Sequence, residues 1–579
     1  MGRGRTLNPQ TPYRMREHKT GKYSYAATYP SETDGVKKRA CRHWGRLKDG
    51  KLFQPNIEFL NLTPAEREKF IFPDDWDLSE LKKLASHRGP GRPAYAQVDQ
   101  DRLYGHVWLL EQLAVQLHLR SDLEQVFEGN MEMVDAVLSL AMYSIVMDKS
   151  FSHMADAQED VRFPASRKLT SSVITRLSQA ITEQNRMDLF TLRRMRAPKN
   201  NVCAVDSTSR CGWGNTLTDM TWGKSKEHLL LAQTSEVVAY SLTQHEPLYY
   251  RTFAGNTPDC RSLRVILEEL RHAGFHNYIM VTDRGYETAE NITPCILKGQ
   301  KLLTAAQVGR RKFWDKVAEL YAEGADPTDR MEWLPEQKVY AKQFSLEWKA
   351  TGRGGRVVTA ENLKLSVYCD MRKKQDQVEA LEGKVHMQRE ALQKMMDEKQ
   401  PLPDRERRSY RFFNVTRNKE TPVVEAFTRR DSAYQRAKRE CGFFGFVTLG
   451  LDWNAEKTLT TYRLRDEQES YFHNMKDRIH ADRQHCWSNR SMHGRRFIEF
   501  TALILVSRLN YAWSNSAKLR KLFPTVDHLL TEMSRIHCVE HTHRTQIITP
   551  FIGKQVEVCR EFGFDIPKGC EPLYVKVIT

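Results

Sequence analysis

Four polar residues near the C-terminal end of the chain have a spacing that places them on one side of a helix. Arg465, Glu469 and Lys476 follow Tyr462 at offsets of 3, 7 and 14 residues. At about 100° per residue these offsets correspond to rotations of roughly 300°, 340° and 320°, so the four side chains share one stripe. A neighbouring apolar face is predicted from Leu464, Tyr471, Phe472, Met475 and Ile479. A solvated helix with i,i+4 ion pairs would give the same pattern, so the rest of the chain must decide between the two interpretations.

Two aspartates elsewhere in the chain each follow a hydrophobic, strand-like run. Asp206 ends the run in "NVCAVDST" and Asp283 ends the run in "NYIMVTDRGY". In open α/β sheets functional side chains gather where strands end, so two adjacent strands would bring these acids together. Glu469, on a helix packed against that sheet, would be the third acid. Asp also favours ordinary turn positions, which is the structural alternative for either aspartate alone.

Three converging carboxylates indicate a site for hard divalent cations. The negative charges repel one another unless cations neutralise them, and Mg²⁺ and Mn²⁺ prefer oxygen ligands. Two such ions about 3.5–4 Å apart suit phosphoryl transfer, because one activates the attacking oxygen and the other stabilises the leaving oxygen. Arg465 and Lys476 would then contact phosphate, and Tyr462 would bind a phosphate or pack on a sugar.

The overall charge points to a polyanionic partner. The chain has 579 residues, with 89 Lys and Arg against 73 Asp and Glu, for a formal charge of +16. Nucleic acid is the leading candidate because neutralising phosphates releases counterions. The longest apolar run, "FTALILV" at 500–506, is far too short to span a bilayer, so no membrane partner is predicted, and no secretory signal is present. The eleven cysteines include no CxxC pair, which favours reduced thiols in the cytoplasm.

The elements that must position these acids follow from hydrophobic periodicity. Residues 100–200 have the 3–4 spacing of helices, and residues 201–310 alternate strands with an amphipathic helix. The interval 310–440 contains strands and one long charged helix, and a buried strand at 441–452 leads directly into the Glu469 helix. The predicted layout is: 1–95, basic N-terminal domain and linker; 96–200, helical domain; 201–310, first part of an α/β core; 311–440, insertion; 441–515, second part of the core with the Glu469 helix; 516–579, C-terminal domain.

The basic N-terminal region offers further contacts for DNA phosphates. The residues expected to make them are Lys37, Lys38, Arg39, Arg42 and Arg46. A solvated basic loop would have the same composition. The segment "SHRGPGRPAY" at 86–95 is predicted to be a linker, with a partial likeness to a minor-groove-binding hook.

Together these motifs resemble the DDE transposases of bacterial insertion sequences, in the superfamily with a Tyr-x2-Arg-x3-Glu-x6-Lys signature. Tyr462, Arg465, Glu469 and Lys476 match that signature without a gap. "AVDST" resembles the first-aspartate block and "VTDRGYETAENI" resembles the second, while "FAGNTPDCRSL" at 253–263 resembles the segment between them. The likeness covers most of the chain and is weakest at 310–440.

The resemblance implies an α/β RNase H-like catalytic core, a mixed sheet flanked by helices. A β-containing insertion would interrupt this core, and a small N-terminal α+β domain and a helical domain would precede it. It implies that Asp206, Asp283 and Glu469 are catalytic and bind two Mg²⁺ ions, with Mn²⁺ as a substitute. Five residues are expected to contact DNA: Tyr462, Arg465, Lys476, Arg284 and Tyr286. Related enzymes form a hairpin intermediate and flip a base onto an aromatic residue, for which Trp314, Trp333 and Trp348 are the candidates in the insertion.

The function predicted from sequence is therefore a DNA transposase. It would bind double-stranded DNA at the terminal inverted repeats of its element, cleave the ends by phosphodiester hydrolysis and transfer the 3′ hydroxyl ends to target DNA. A homodimer in the DNA complex and a cytoplasmic, nucleoid-associated location in a bacterium are expected. Two alternatives remain: a catalytically silent DNA-binding protein derived from a transposase, and another RNase H-like nuclease.

Overall fold

A computed structural model of the chain divides into two units. It describes residues 13–28, 41–60, 62, 64–81, 98–212, 216–223, 231–257, 259–308, 311–351, 355, 357–360, 362–418, 421–479, 483–484, 486–541 and 546–570. The first unit comprises residues 1–103 and 537–550, and the second comprises 104–536 and 551–579. The segment 537–550, which the sequence assigned to a C-terminal domain, thus groups with the N-terminal residues. The predicted linker at 86–95 and Lys37, Lys38 and Arg39 lie outside the described residues.

The first unit is built from short strands around an aromatic core. Its strands form a four-stranded antiparallel sheet in chain order (Arg16–Thr20, Tyr23–Thr28, Arg42–Lys48, Leu52–Pro55), a parallel pair (Tyr13–Arg14, Phe70–Ile71) and a three-stranded sheet in spatial order Gln546–Ile548, His537–His541, Val98–Leu103. Two one-turn helices are Ile57–Leu60 and Pro64–Arg67. Trp44, Phe53 and Phe59 are almost fully buried and pack edge to face, which is the preferred geometry of aromatic pairs.

The second unit begins with six helices, as the 3–4 spacing of apolar residues predicts. They are α1 (Gly105–Gln116), α2 (Leu119–Val126), α3 (Met131–Val146), α4 (Met154–Asp160), α5 (Ser171–Ala180) and α6 (Glu183–Arg196). α3 is buried along most of its length, and α6 begins with a capping box in which the side chains of Thr182 and Asn185 satisfy each other's backbone N–H groups.

One buried residue of α1 makes the stability of this unit depend on pH. His106 is 5% exposed, and burial lowers its pKa from 6.5 to about 4. The unfolded chain therefore takes up a proton near pH 6.5 that the folded chain binds only near pH 4. Because the folded pKa is depressed, the stabilising contribution is complete above pH 6.5 and is lost as the pH falls toward 4.

We expect the unfolding free energy of the natural chain to fall by roughly 2 kcal/mol between pH 7 and pH 5 relative to a His106→Leu variant. Urea denaturation of both proteins at a series of pH values measures this difference. A difference between the two proteins that does not change with pH would contradict the assignment.

A large mixed sheet occupies the centre of the second unit. Its strands are β1 (Asn201–Gly212), β2 (Gln233–Ser241), β3 (Glu246–Ala254), β4 (Tyr278–Thr282), β5 (Lys301–Ala305), β6 (Glu332–Leu334), β7 (Val339–Ser345), β8 (Lys364–Cys369), β9 (Phe443–Leu449) and β10 (Arg483–Gln484). The spatial order is β3-β2-β1-β4-β5-β9-β8-β7-β6, with β10 beside the end of β1. β4 is parallel to β1 and β5, and the other pairs between neighbours in this order are antiparallel.

Some of the residues at 311–440, which were predicted to form an insertion, belong to the central sheet. β6, β7 and β8 continue the central sheet, because β9 pairs with β5 on one edge and with β8 on the other. Within 371–440, the described residues form a satellite with its own hydrophobic cluster, which includes Leu392, Leu402 and Phe412. Its helices and strands are Met371–Asp397, Asp404–Arg407, Phe413–Arg417, Val424–Arg429 and Asp431–Glu440. Only part of the predicted insertion is therefore separate from the sheet.

The longer helices of the second unit that follow α6 include two helices of the satellite, Met371–Asp397 and Asp431–Glu440. They are α7 (Asp259–His272), α8 (Ala289–Lys298), α9 (Arg311–Leu320), α10 (Met371–Asp397), α11 (Asp431–Glu440), α12 (Ala455–Arg463), α13 (Asp466–His473), α14 (Asn489–Asn515), α15 (Ala517–Leu522), α16 (Val526–Met533) and α17 (Lys554–Phe562). The apolar run at 495–513 forms most of α14, which contacts α3, α5 and β3. Gly494 permits the close crossing, since a Cβ there would collide with the carbonyl of Ser178. Among the described helices, none combines the length and the apolar character that crossing a bilayer requires.

The prediction of one regular helix through Tyr462 and Lys476 is wrong in its details. α12 ends at Arg463, α13 begins at Asp466, and a π-helical turn follows at Asn474–Arg478. The backbone tightens where the N–H of Arg465 bonds the carbonyl of Tyr462 at 3.0 Å. Leu464 is 42% exposed and does not join the buried face that the helical wheel assigned to it. A constant 100° step therefore does not describe this segment, and π-helical turns of this kind are frequent at functional sites.

Candidate active site

Asp206 lies on β1 and Asp283 directly follows the adjacent parallel strand β4, as the sequence predicted. Val205 of β1 is in register with Thr282 of β4, so the two aspartates are the next residues on both strands. Asp206 does not end its strand, however, because β1 continues to Gly212 and pairs there with β2. Asp283 follows β4 and caps a short 3-10 turn, accepting a hydrogen bond from the Arg284 N–H at 2.6 Å.

Arg465 joins the first aspartate to the predicted third acid. Its Nη2 forms an ion pair with Asp206 Oδ2, and its Nη1 lies 3.5 Å from Glu469 Oε1. The Arg465 and Asp206 side chains are only 12% and 15% exposed, whereas that of Glu469 is 65% exposed. Burial opposes the charge of Arg465, but Asp206, Tyr462 and Asp283 outweigh it and raise the pKa of the guanidinium. The Arg465 guanidinium therefore contacts Asp206 and Glu469 and also interacts electrostatically with Asp283.

Tyr462 lies at the edge of the same group. Its ring packs on Phe446 of β9, with ring centroids 4.2 Å apart. Burial, the largest cause, together with Asp283 and Asp206, raises the pKa of its phenol to about 12. The hydroxyl therefore stays protonated at neutral pH and can donate a hydrogen bond to an anionic oxygen.

Gln468 holds the Glu469 helix against the strand that carries Asp206. It is 1% exposed, and its Nε2 donates to the carbonyl oxygens of Ala204 at 3.0 Å and Val238 at 3.1 Å. Sequence reasoning missed this residue. A sequence signal was present: Gln468 is four residues after Leu464, on the helix face that was predicted to be apolar. A polar amide at such a position indicates a buried hydrogen-bonding role.

A buried ionic network underlies the turn that follows the Glu469 helix. Arg210 of β1 bonds Glu236 of β2 at 2.8 Å and Glu499 of α14 at 2.7 Å, and it contacts the Met475 sulfur at 2.9 Å. Arg496 completes the network, with one contact to Glu499 at 2.7 Å and another to Glu236 at 3.6 Å. Sequence analysis did not single out these four charged residues, which are scattered over 289 positions from Arg210 to Glu499.

The other residues predicted to contact DNA differ in accessibility. Arg284 is exposed beside Asp283, and Lys476 is half-buried on the π-helical turn. Tyr286 is 2% exposed, so a contact with DNA would require its ring to leave the core. Trp333, a candidate for stacking a flipped base, is 46% exposed. All of these DNA contacts stay predictions.

The three acids are neighbours without forming a closed cluster of ligand atoms. Among the described residues, one set of three His, Cys, Asp or Glu side chains has all its ligand atoms within 4.8 Å of one another, and that set lies in the first unit. The guanidinium of Arg465 now balances the charge of Asp206 and Glu469. The donor set itself, three carboxylates on a strand, a strand end and a helix, offers the oxygen ligands that Mg²⁺ and Mn²⁺ prefer.

Comparison with known proteins identifies the family of the chain. No curated protein matches the chain. A cryo-EM structure of the piggyBac transposase synaptic complex with hairpin DNA is similar over 69% of this chain and 76% of that chain, at 10% sequence identity and a TM-score of 0.24. Because that score is low, we take no residue role from the piggyBac structure. The family described as "Transposase DDE domain" matches residues 197–505, which include both aspartates, Glu469 and more than half of the sequence. The chain therefore belongs to the transposase DDE domain family.

Proposed function

We propose that this protein is a DNA transposase that cleaves the ends of its own element and joins them to target DNA. The observation that carries the proposal is the shared contact of Arg465 with Asp206 and Glu469, together with the register that sets Asp283 beside Asp206. These acids reach one place from three separate parts of the chain, which the ordinary turn or surface roles of Asp and Glu do not require. The formal charge of +16 supports DNA as the partner.

The catalytic core is proposed to be RNase H-like. The order β3-β2-β1-β4-β5, with β2 antiparallel to β1 and with β4 parallel to it, supports this assignment. The first aspartate would lie on the first strand of that core, the second after its fourth strand, and the glutamate on a late helix. The predicted domain layout is part of the same proposal, except that 537–550 belongs to the first unit and that β6, β7 and β8 belong to the core sheet. A homodimer in the DNA complex and a nucleoid-associated location in a bacterial cytoplasm are also parts of it.

Asp206, Asp283 and Glu469 would hold two divalent ions, Mg²⁺ or in its place Mn²⁺. When bound, such ions supply activation of the attacking oxygen and stabilisation of the leaving oxygen. The carboxylates fit this role by their chemistry, and the exposure of Glu469 leaves one side of the group open to solvent.

Arg465 is proposed to alternate between two partners. A guanidinium binds carboxylate and phosphate oxygens with the same bidentate geometry, so the arm that now holds Asp206 can turn to a DNA phosphate. Tyr462, protonated at neutral pH, would donate to a neighbouring phosphate oxygen, and Lys476 and Arg284 would add positive charge. These residues position the DNA backbone and do not select a base sequence.

Gln468 is proposed to position Glu469 for this reaction. A Gln468→Met variant keeps the length of the side chain and removes both hydrogen bonds to β1 and β2. We expect it to lower DNA cleavage by roughly 10–100-fold, the range found when outer-shell support of metal ligands is removed. Single-turnover cleavage measured against metal concentration should show that more metal is needed, which a general loss of folded protein would not cause.

The matched control for this variant is Ser470→Ala. Ser470 is exposed on the same helix, and its hydroxyl donates to the backbone carbonyl of Asp466 at 3.2 Å. We expect Ser470→Ala to cleave like the natural protein. Equal metal dependence in Gln468→Met and the natural protein would refute the positioning role.

The function itself is tested with the DNA that flanks the reading frame. The full chain is incubated with labelled flanking DNA, a second duplex and Mg²⁺, and the products are sequenced. Cut ends joined to the second duplex establish transposition. Cut ends that never join would favour an RNase H-like nuclease, and binding without cutting, in Mn²⁺ as well, would favour a silent DNA-binding protein.

A further inference from the structure

Three potential metal ligands converge in the first unit of the chain. His18 belongs to the strand Arg16–Thr20, His43 belongs to the strand Arg42–Lys48, and Cys41 directly precedes the latter strand. One ligand atom of each lies within 4.8 Å of the other two, and all three residues are half-buried. Sequence analysis did not find this group, because 22 residues separate His18 from Cys41.

The distances are close to those around a tetrahedral zinc ion. His43 Nε2 lies 3.0 Å from His18 Nδ1 and 3.4 Å from Cys41 Sγ. Zinc bonds of about 2.0–2.1 Å to nitrogen and about 2.3 Å to sulfur place tetrahedral ligand atoms roughly 3.3–3.6 Å apart. These two distances are thus within a few tenths of an ångström of the tetrahedral values, and the third, between His18 and Cys41, is no more than 4.8 Å.

A chain of hydrogen bonds explains these contacts less well. His43 Nε2 faces both a ring nitrogen and a sulfur, and His18 Nδ1 also faces the Thr20 hydroxyl at 3.3 Å. A neutral ring nitrogen is either a donor with one proton or an acceptor with one lone pair, so it serves one partner well. A cation at the meeting point would instead satisfy the two nitrogen lone pairs and the thiolate together.

The surrounding strands hold the ligands in place. Tyr25 stacks on His43, with ring centroids 4.7 Å apart and an interplanar angle of 7°. Tyr25 is also the register partner of His18, so one residue of the middle strand is a neighbour of both histidines. Cys41 and His43 are two positions apart along extended chain, which directs their side chains to the same side.

We propose that His18, Cys41 and His43 bind one Zn²⁺ ion, with water in the fourth position. Two imidazoles and a thiolate are ligands that Zn²⁺ accepts and Mg²⁺ does not favour. The strands that carry His18 and His43 are not hydrogen-bonded to each other, because Tyr23–Thr28 lies between them. The ion would therefore cross-link the first and third strands of this sheet.

The test uses Co²⁺ as a spectroscopic substitute for Zn²⁺ in the full-length, reduced, chelator-treated protein. We expect about one equivalent of Co²⁺ to give the absorption bands of tetrahedral coordination and a sulfur-to-cobalt charge-transfer band, and Zn²⁺ to abolish them. Cys41→Ser should lose the charge-transfer band. His18→Asn and His43→Asn should weaken Co²⁺ binding by more than roughly 10-fold.

Matched controls separate this site from the other ligands of the chain. Cys441→Ser removes a buried cysteine, and His386→Asn removes an exposed histidine that contacts Glu390 at 3.3 Å, so both should keep the full signal. Asp206→Asn should keep it as well, because carboxylates give no sulfur band. The proposal and the proposed transposase function can thus fail independently.

Thermal unfolding provides a second measurement that does not depend on cobalt. Zn²⁺ should raise the unfolding temperature of the first unit in the natural chain and not in Cys41→Ser, because a ligand stabilises the state that binds it. The proposal is overturned if no sulfur-to-cobalt band appears, if Cys41→Ser retains the band, or if Zn²⁺ stabilises both proteins equally.

Discussion

A Glu469→Gln variant is expected to bind the DNA ends as the natural protein does and to lose DNA cleavage by roughly 10³-fold or more. The substitution preserves the size of the side chain but removes its charge and replaces one oxygen donor with an amide nitrogen. Glu469 is 65% exposed and approaches Arg465 at 3.5 Å, so the fold has little dependence on it. The loss would therefore be chemical rather than structural.

Single-turnover cleavage of end DNA in Mg²⁺ measures this loss, and a gel-shift assay measures binding on the same samples. Asp466→Asn is the matched control, since Asp466 is an exposed acid in the first turn of the same helix. We expect this control to cleave normally. A Glu469→Gln protein with full cleavage would remove the glutamate from the catalytic set.

The second large effect is expected in the ionic network beneath the site. After a Glu236→Gln substitution, Arg210 and Arg496 would share the carboxylate of Glu499. The network is buried, since Arg210 is 1% exposed and Glu236 is 2% exposed. Burial raises the pKa of Glu236, and the Arg210 guanidinium opposes that rise. Breaking a buried ion pair by removing one partner leaves an uncompensated charge, so we expect a loss of about 3–5 kcal/mol in unfolding free energy.

Denaturant unfolding followed by tryptophan fluorescence measures this change. The control is Glu132→Gln, which removes an ion pair with Arg167 whose side chains are 65% and 53% exposed. We expect it to cost less than about 1 kcal/mol, as surface pairs do. If Glu236→Gln is as stable as the control, the network does not support the fold beneath the catalytic helix.

The local chemistry of the chain was accessible from sequence because it depends on residue type and short spacing. The Tyr462-to-Lys476 signature, the two aspartate blocks and the basic charge led to the transposase family, and the family match over residues 197–505 confirms that membership. The strands that carry Asp206 and Asp283 were also predictable, because a continuous apolar run is typical of a strand buried in a sheet.

Other features depended on contacts between distant parts of the chain. The helical wheel required a constant rotation per residue, whereas the backbone tightens at Arg465 and widens at Asn474–Arg478. Part of the predicted insertion joins the central sheet, because β9 pairs with β5 on one edge and with β8 on the other. No local sequence pattern predicts this pairing.

The sequence by itself determined which acids and cations this protein has for its chemistry and how they are spaced along each local segment. Only the tertiary structure decided that Arg465 contacts both Asp206 and Glu469, and that Gln468 bonds its helix to β1. It also decided that His18 lies beside Cys41 and His43. The physical reason is that hydrophobic periodicity depends on near neighbours, whereas these contacts form between side chains that only sheet register and helix packing bring together.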